Sequence, residues 1–160
     1  GGTNADYDSA NSSATAFGKS NVIAQTVHVA GDLRALSPKQ VESAKRVMLQ
    51  IVAKNLDGSK AELIFEDGYP PMALTDGNKK LLELYSDASH DLGFNKVVAA
   101  NPRNAGAADI SFAANHVDMA LDGLGLMGSG AHTKNETADL TSLDKNIKKT
   151  ALLIYRLGKL

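Results

Sequence analysis

Residues 37–52, SPKQVESAKRVMLQIV, predict an amphipathic helix from which the rest of the fold can be worked out. Ser37 is a typical N-cap, and Pro38 suits the first helical position, where its absent N–H has no intrahelical partner. Apolar side chains recur along one face at i, i+3 and i+4 spacing: Val41, Ala44, Met48, Ile51 and Val52. Asp57-Gly58 predicts that the chain turns after this helix.

Two segments with a period of two flank the helix. In residues 23–34 the apolar side chains alternate with polar ones, which is typical of a half-buried strand. Residues 60–66 predict a second strand, which ends before Pro70-Pro71 because proline cannot donate to a ladder. We therefore expect a strand–helix–strand unit and a domain over residues 1–70. Seventeen of its first twenty residues are Gly, Ala, Ser, Thr, Asn or Asp, and this composition predicts an exposed loop.

The pattern starts afresh after Pro71 and predicts a second domain over residues 71–160. Residues 77–92 predict a helix closed by Gly93 in the left-handed conformation, and a last helix begins near Ser142. Between them we expect short strands at 97–98 and 117–121, and a short helix capped by Asp109. This alternation predicts an α/β fold with helices on a mainly parallel sheet.

Composition excludes several classes of function. The 160 residues carry 17 basic and 18 acidic side chains, without a basic cluster, so no nucleic-acid partner is expected. No apolar run approaches the roughly 20 residues of a membrane span. The absence of cysteine removes disulfides and thiolate metal sites, and leaves open a cytoplasmic or an exported, periplasmic location. The start at Gly1-Gly2-Thr3 is interpreted as an internal one, so that the chain is a fragment.

Residues 122–136, DGLGLMGSGAHTKNE, hold the best candidate for chemistry. The glycines Gly123, Gly125 and Gly128 match G-x-G-x-x-G, which allows a nucleotide-binding α/β domain as an alternative. That motif needs a helix directly after the third glycine, and none is predicted here. A loop whose glycines, with Gly130, let the backbone approach a ligand or another strand is favoured.

His132 and Arg34 are the candidate side chains. His132 follows the glycines in a loop beyond a predicted strand end, where ligands collect in open α/β sheets. One imidazole does not make a metal site, and a surface histidine is the competing interpretation. Arg34 could bind a carboxylate with its two parallel N–H groups, or pair with Asp32.

Several segments, in order, resemble the M20 zinc peptidases, the family of glutamate carboxypeptidase, aminoacylase and succinyl-diaminopimelate desuccinylase. The matching segments are residues 20–34 with Asn-Val-Ile and Gly-Asp-Leu-Arg, the helix from Ser37-Pro38, residues 65–71, Gly106–Asp109 and residues 122–136. The resemblance implies part of a ferredoxin-like lid, or dimerisation, domain over 1–70 and the C-terminal part of an α/β zinc-peptidase domain over 71–160.

The same resemblance implies roles for individual residues. His132 matches a ligand of one zinc in a two-zinc site, and Asn21 and Arg34 match lid residues that hold the substrate's carbonyl or carboxylate. Gly123, Gly125, Gly128 and Gly130 shape the loop at the site. The implied activity is hydrolysis of a peptide or N-acyl amide next to a free carboxylate, with a homodimer formed through the lid.

Departures from the family limit these expectations. The Glu-Glu pair, which brings the general base, does not occur in the chain, and the family's H-x-D histidine lies in an N-terminal segment that the matching segments do not include. Asp67-Gly68-Tyr69 stands where glutamate-cleaving relatives have arginine. We expect the 160-residue chain alone to be inactive and to hold no zinc, and to need the N-terminal part of the catalytic domain as its partner. A non-catalytic dimerisation or binding module of the same fold is the remaining alternative.

Overall fold

A computed structural model describes residues 2–19, 21–102, 106 and 108–159, and shows a mixture of helices and strands. The elements in chain order are β1 (Asn4–Asp8), β2 (Ser13–Phe17), α1 (Pro38–Val52), α2 (Asp76–Asp91), α3 (Ile110–Ala113), β3 (Met127–Ser129), β4 (Thr137–Asp139) and α4 (Thr141–Leu157). A turn of 3₁₀ helix, Ala114–His116, follows α3. The chain divides into two compact units, one ending at Leu33 and the other beginning at Arg34.

The first unit corrects the prediction of an exposed loop over the first twenty residues. Strands β1 and β2 pair as an antiparallel hairpin in which Asn4 lies opposite Phe17 and Asp8 opposite Ser13. The Asp8 carboxylate accepts hydrogen bonds from the backbone N–H of Ala10 at 3.0 Å and from the Asn11 amide at 2.7 Å. The turn residues that suggested a loop therefore close a hairpin, because a side chain in the turn accepts hydrogen bonds from the backbone N–H groups there.

The predicted helices are confirmed. The Ser37 hydroxyl accepts from the N–H of Gln40 at 3.3 Å at the start of α1. Thr75, which was not singled out from the sequence, does the same for the N–H of Asn78 at 3.0 Å before α2. Gly93 follows α2 with φ +78°, as predicted for its left-handed position.

The core of the second unit lies where α2 packs against α4. Tyr85 and Ala88 of α2 and Leu153 of α4 are buried. Beside them Arg156 donates to Asp91 at 2.6 Å, and this guanidinium holds the pKa of the Asp91 carboxyl below its ordinary value. The two helices are thus joined by apolar contact at the centre and by an ion pair at the rim.

The strands predicted over 23–34, 60–66, 97–98 and 117–121 are not found in the described residues, apart from an isolated bridge between Thr26 and Gly2. Ile23, Val29 and Ile64 are exposed by 94%, 89% and 75%. Alternation of apolar and polar side chains determines which face of a strand would be buried. The strand itself forms only where a neighbouring backbone pairs with its N–H and C=O groups. The described strand pairs are also antiparallel, unlike the mainly parallel sheet that was expected.

In the second unit, Ala120 and Asp109 have other partners than the sequence predicted. Residue 120 does not lie in a strand, and the Ala120 N–H donates instead to the Asn78 side chain at 2.7 Å. Asp109 precedes α3 as predicted, but its side chain does not cap the helix. That carboxylate accepts from Tyr69 instead.

Candidate functional site

The candidate site is the hairpin of β3 and β4, which carries His132 in its connecting loop. Met127 lies opposite Asp139 and Ser129 opposite Thr137, and the hydroxyls of the latter pair are 2.9 Å apart. At Gly128 a Cβ would collide with the backbone oxygen of Thr137, so only glycine permits this approach of the strands.

His132 itself has φ +63°, the left-handed conformation that costs a non-glycine residue about 1–2 kcal/mol. The turn around it is closed by Thr133, whose N–H and hydroxyl donate to the Gly130 carbonyl at 3.1 and 2.7 Å. The Thr133 hydroxyl also accepts from the N–H of Asn135 at 3.1 Å. Strained backbone that its neighbours hold in place is typical of functional positions. The loop presents the exposed imidazole on a turn fixed by its own hydrogen bonds.

Helix α4 anchors the glycine segment that precedes the hairpin. The Asn146 amide donates to the Gly125 carbonyl, and the Ser142 hydroxyl accepts from the N–H of Met127 at 2.9 Å. Both side chains are buried. From the sequence, Ser142 was named only as the residue near which the last helix begins, and Asn146 was not singled out. A polar residue on the apolar face of an amphipathic helix, as Asn146 is, was the available signal.

The geometry required for a dinucleotide is not present at Gly123, Gly125 and Gly128. Gly128 lies inside β3 rather than at a helix N-terminus, and the next helix begins at Thr141. A pyrophosphate needs the amides of a helix that opens at the third glycine. The alternative of a nucleotide-binding domain therefore has no structural support.

An open cleft of about 410 Å³ lies between α4 and residues 124–126. Its lining is mostly aliphatic, and no titratable side chain contributes to it; the lining residues are Leu124, Gly125, Leu126, Leu143, Asn146, Ile147, Thr150, Ala151 and Ile154. A cleft of this composition offers packing surface rather than acid, base or metal chemistry.

The other predicted site residues lie on exposed backbone. Asn21 belongs to the first unit, in a turn where the Val22 N–H donates to the Lys19 carbonyl at 3.1 Å. Arg34 opens the second unit, a few residues before α1. Within the ranges that the structure describes, no three His, Asp or Glu side chains converge to hold a metal ion.

The sequence of the chain matches that of known proteins. A family model described as peptidase family M20/M25/M40 matches residues 7–156. The chain belongs to this peptidase family. The resemblance seen in the sequence is thereby confirmed, and it extends into the β1–β2 hairpin, ahead of the motifs that first indicated it.

Among curated proteins, this M20-family chain is similar to Carboxypeptidase G2 of Pseudomonas sp. (strain RS-16). The two are 26% identical over 145 residues, which is 87% of this chain and 34% of the relative. The chain thus spans about a third of that relative's length. No solved structure matches the M20-family chain significantly. None of the helices in the described part of the chain has the length and apolar composition to cross a bilayer.

Proposed function

We propose that the chain forms part of a zinc-dependent peptidase or amidohydrolase that cleaves a peptide or N-acyl amide bond next to a free carboxylate. The observation that carries this proposal is His132, which lies in a segment that resembles the family's last metal-ligand motif, within the matched residues, and occupies a costly left-handed turn that its neighbours hold. In this proposal residues 1–70 belong to a lid domain, which includes helix α1, and residues 71–160 to the catalytic domain.

The proposed zinc site is not complete in the described residues. Zinc takes three or four protein ligands, and these residues bring no such cluster together around His132. They do not fit the ion by themselves, and the remaining donors of the proposed two-zinc site would come from elsewhere in the protein. For the 160 residues alone we expect negligible zinc affinity and no hydrolysis.

Asn21 and Arg34 are proposed to hold the substrate. A guanidinium binds a carboxylate through two parallel N–H groups, and an amide N–H₂ donates to a carbonyl oxygen. Both side chains are exposed, which leaves them within reach of a ligand. Gly128 and Gly130 serve the site indirectly, since they let the hairpin close and place His132 on its turn.

Substitution of His132 tests the metal role. The chain would be produced together with whatever coding sequence precedes it in the gene, and zinc content and hydrolysis of N-acyl amino acids measured. His132→Ala is expected to lower zinc content and to reduce hydrolysis by at least 100-fold, because a ligand is lost. The control is His116→Ala, a histidine on the exposed 3₁₀ turn. Equal zinc content and activity in both variants would refute the proposal.

Substitution of Arg34 tests the substrate role in the same protein. Arg34→Ala is expected to raise KM by about 10-fold or more for substrates with a free α-carboxylate, and far less for their carboxamides, because loss of a charge-assisted pair costs about 1.5–3 kcal/mol. Arg46→Ala, an exposed arginine of α1, is the matched control. A uniform effect on acids and amides contradicts carboxylate recognition by Arg34.

Dimerisation through the lid is a separate part of the proposal. Helix α1 has no buried residue, and Val47, Leu49 and Ile51 are exposed by 46%, 47% and 62%, which favours a partner for this helix. Sedimentation of the longer protein reports the homodimer. A dimer that binds zinc but hydrolyses no amide would instead identify the non-catalytic module.

A further inference from the structure

Residues 65–69, FEDGY, form a strap that is tied at one end to helix α1. Lys45 of α1 makes an ion pair with Asp67 of the strap. The same ammonium lies 5.3 Å from the centroid of the Phe65 ring, within range of a cation–π contact. One lysine thus engages two residues of the strap, one by its charge and one by its ring.

The other end of the strap is tied to helix α3. The Tyr69 hydroxyl donates to Oδ1 of Asp109 at 2.9 Å, and the Tyr69 ring lies 4.9 Å from the Phe112 ring at a tilt of 56°. Both the ring and the hydroxyl of Tyr69 therefore have partners, across 40 residues of sequence. The hydrogen bond to the Asp109 carboxylate, together with the charge of that carboxylate, raises the pKa of the Tyr69 hydroxyl above its ordinary value.

Gly68 separates the two anchors. It is exposed, and a Cβ built on it would meet no atom within 4 Å, so packing does not restrain this residue. On the C-terminal side Pro70-Pro71 restricts the backbone. Gly68 is the residue of the strap with the widest range of allowed backbone conformations, and the contacts of Lys45 and Tyr69 fall on either side of it.

We propose that Tyr69 is a latch that fixes the chain at Gly68 and so couples the orientation of α1 to that of α3. If the boundary between lid and catalytic domains lies at Pro70, which rests on the proposed function, the latch sets the angle between them. Asp109 lies in the segment that resembles a family motif, so the latch also ties Tyr69 to that segment of the proposed catalytic portion. Opening the latch frees Gly68 as a hinge.

Hydrogen exchange tests the latch directly in the 160-residue chain. Tyr69→Phe keeps the ring on Phe112 and removes only the hydrogen bond to Asp109. The amides of Ser111 and Phe112 donate to the carbonyls of Ala108 and Asp109 at 3.0 and 3.1 Å, and they are expected to exchange roughly 2- to 10-fold faster. Tyr155→Phe, at another exposed tyrosine, is the control and should leave these rates unchanged. Unchanged rates in Tyr69→Phe would overturn the proposal.

Coupling between the helices needs a second measurement. Because the chain contains no cysteine, spin labels can be attached at Glu42→Cys on α1 and Ala113→Cys on α3, both exposed. The distance distribution from double electron–electron resonance is expected to broaden in Tyr69→Phe and to stay as in the parent in Tyr155→Phe. Equal widths in all three proteins would overturn the coupling. Neither readout depends on hydrolysis. If both effects are seen in the chain while the longer protein binds no zinc and hydrolyses no amide, the proposed function is refuted and the latch is supported.

Discussion

Helices α1 and α4 are similar in sequence character and opposite in environment. Both are amphipathic over 15 and 17 residues. Leu153 of α4 is 4% exposed against α2, whereas α1 contains no buried residue at all. An apolar stripe therefore shows that a helix has a face to bury, and the fold decides whether anything covers it. Three predictions test this difference, from the largest expected effect to the smallest.

Truncation of apolar side chains should separate the two helices most clearly. Leu153→Ala is expected to lower the free energy of unfolding by about 2–4 kcal/mol, since it leaves a cavity between α4 and α2. Ile51→Ala on α1, at 62% exposure, should change it by no more than about 0.5 kcal/mol. Urea unfolding of both variants measures this. Equal losses would show that α1 is buried in solution, for example in a dimer.

Removal of the N-caps sharpens the comparison. Thr75→Ala and Ser37→Ala each delete one hydroxyl that accepts from a first-turn amide, at a typical cost of about 1 kcal/mol. Because α2 packs on α4, we expect Thr75→Ala to reduce the stability of the packed pair, with faster exchange in both helices. Ser37→Ala should raise exchange in α1 alone. Identical exchange maps for the two variants would argue that α1 and the α2–α4 pair unfold as one.

The ion pair at the rim of the packed helices predicts a small dependence on acid. Arg156 lowers the pKa of Asp91 below 3.8, with a minor contribution from His90. A lowered folded-state pKa stabilises the fold above the unfolded-state pKa, and this contribution is lost as pH falls through the folded-state pKa. The melting temperature should therefore fall below about pH 4 more steeply in the parent than in Asp91→Asn. Parallel acid profiles would mean that the pair contributes nothing.

Predictions that depend on contacts between residues close in sequence were confirmed, whereas predictions that depend on contacts between distant residues failed. The capping of α1 by Ser37 and the closure of α2 by Gly93 depend on residues within one helical turn, and both were predicted. The segment at 117–121 was predicted as a strand, yet Ala120 bonds to Asn78, 42 residues away. Asp109 likewise was expected to cap α3 and instead accepts from Tyr69. Both partners lie far away in sequence, where periodicity carries no information about contact.

The candidate site shows the same division. His132 was singled out from its neighbours and from the order of the motifs, and the family match over residues 7–156 supports that order. Its left-handed backbone and the hydrogen bonds of Thr133 were not predicted, although a G-x-H turn is short. They arise because β3 and β4 approach at Gly128, and this approach constrains the loop between them.

The sequence by itself determined the helices α1, α2 and α4, the family, and the residue types of the candidate site. Helices follow from sequence because their hydrogen bonds close over four residues. Only the tertiary structure decided that α4 is covered while α1 is exposed, that the β1–β2 segment pairs, and that Tyr69 meets Asp109. Each of these outcomes depends on residues that are distant in sequence, which pair with a strand, cover an apolar face or donate to a carboxylate. Only folding brings such residues together.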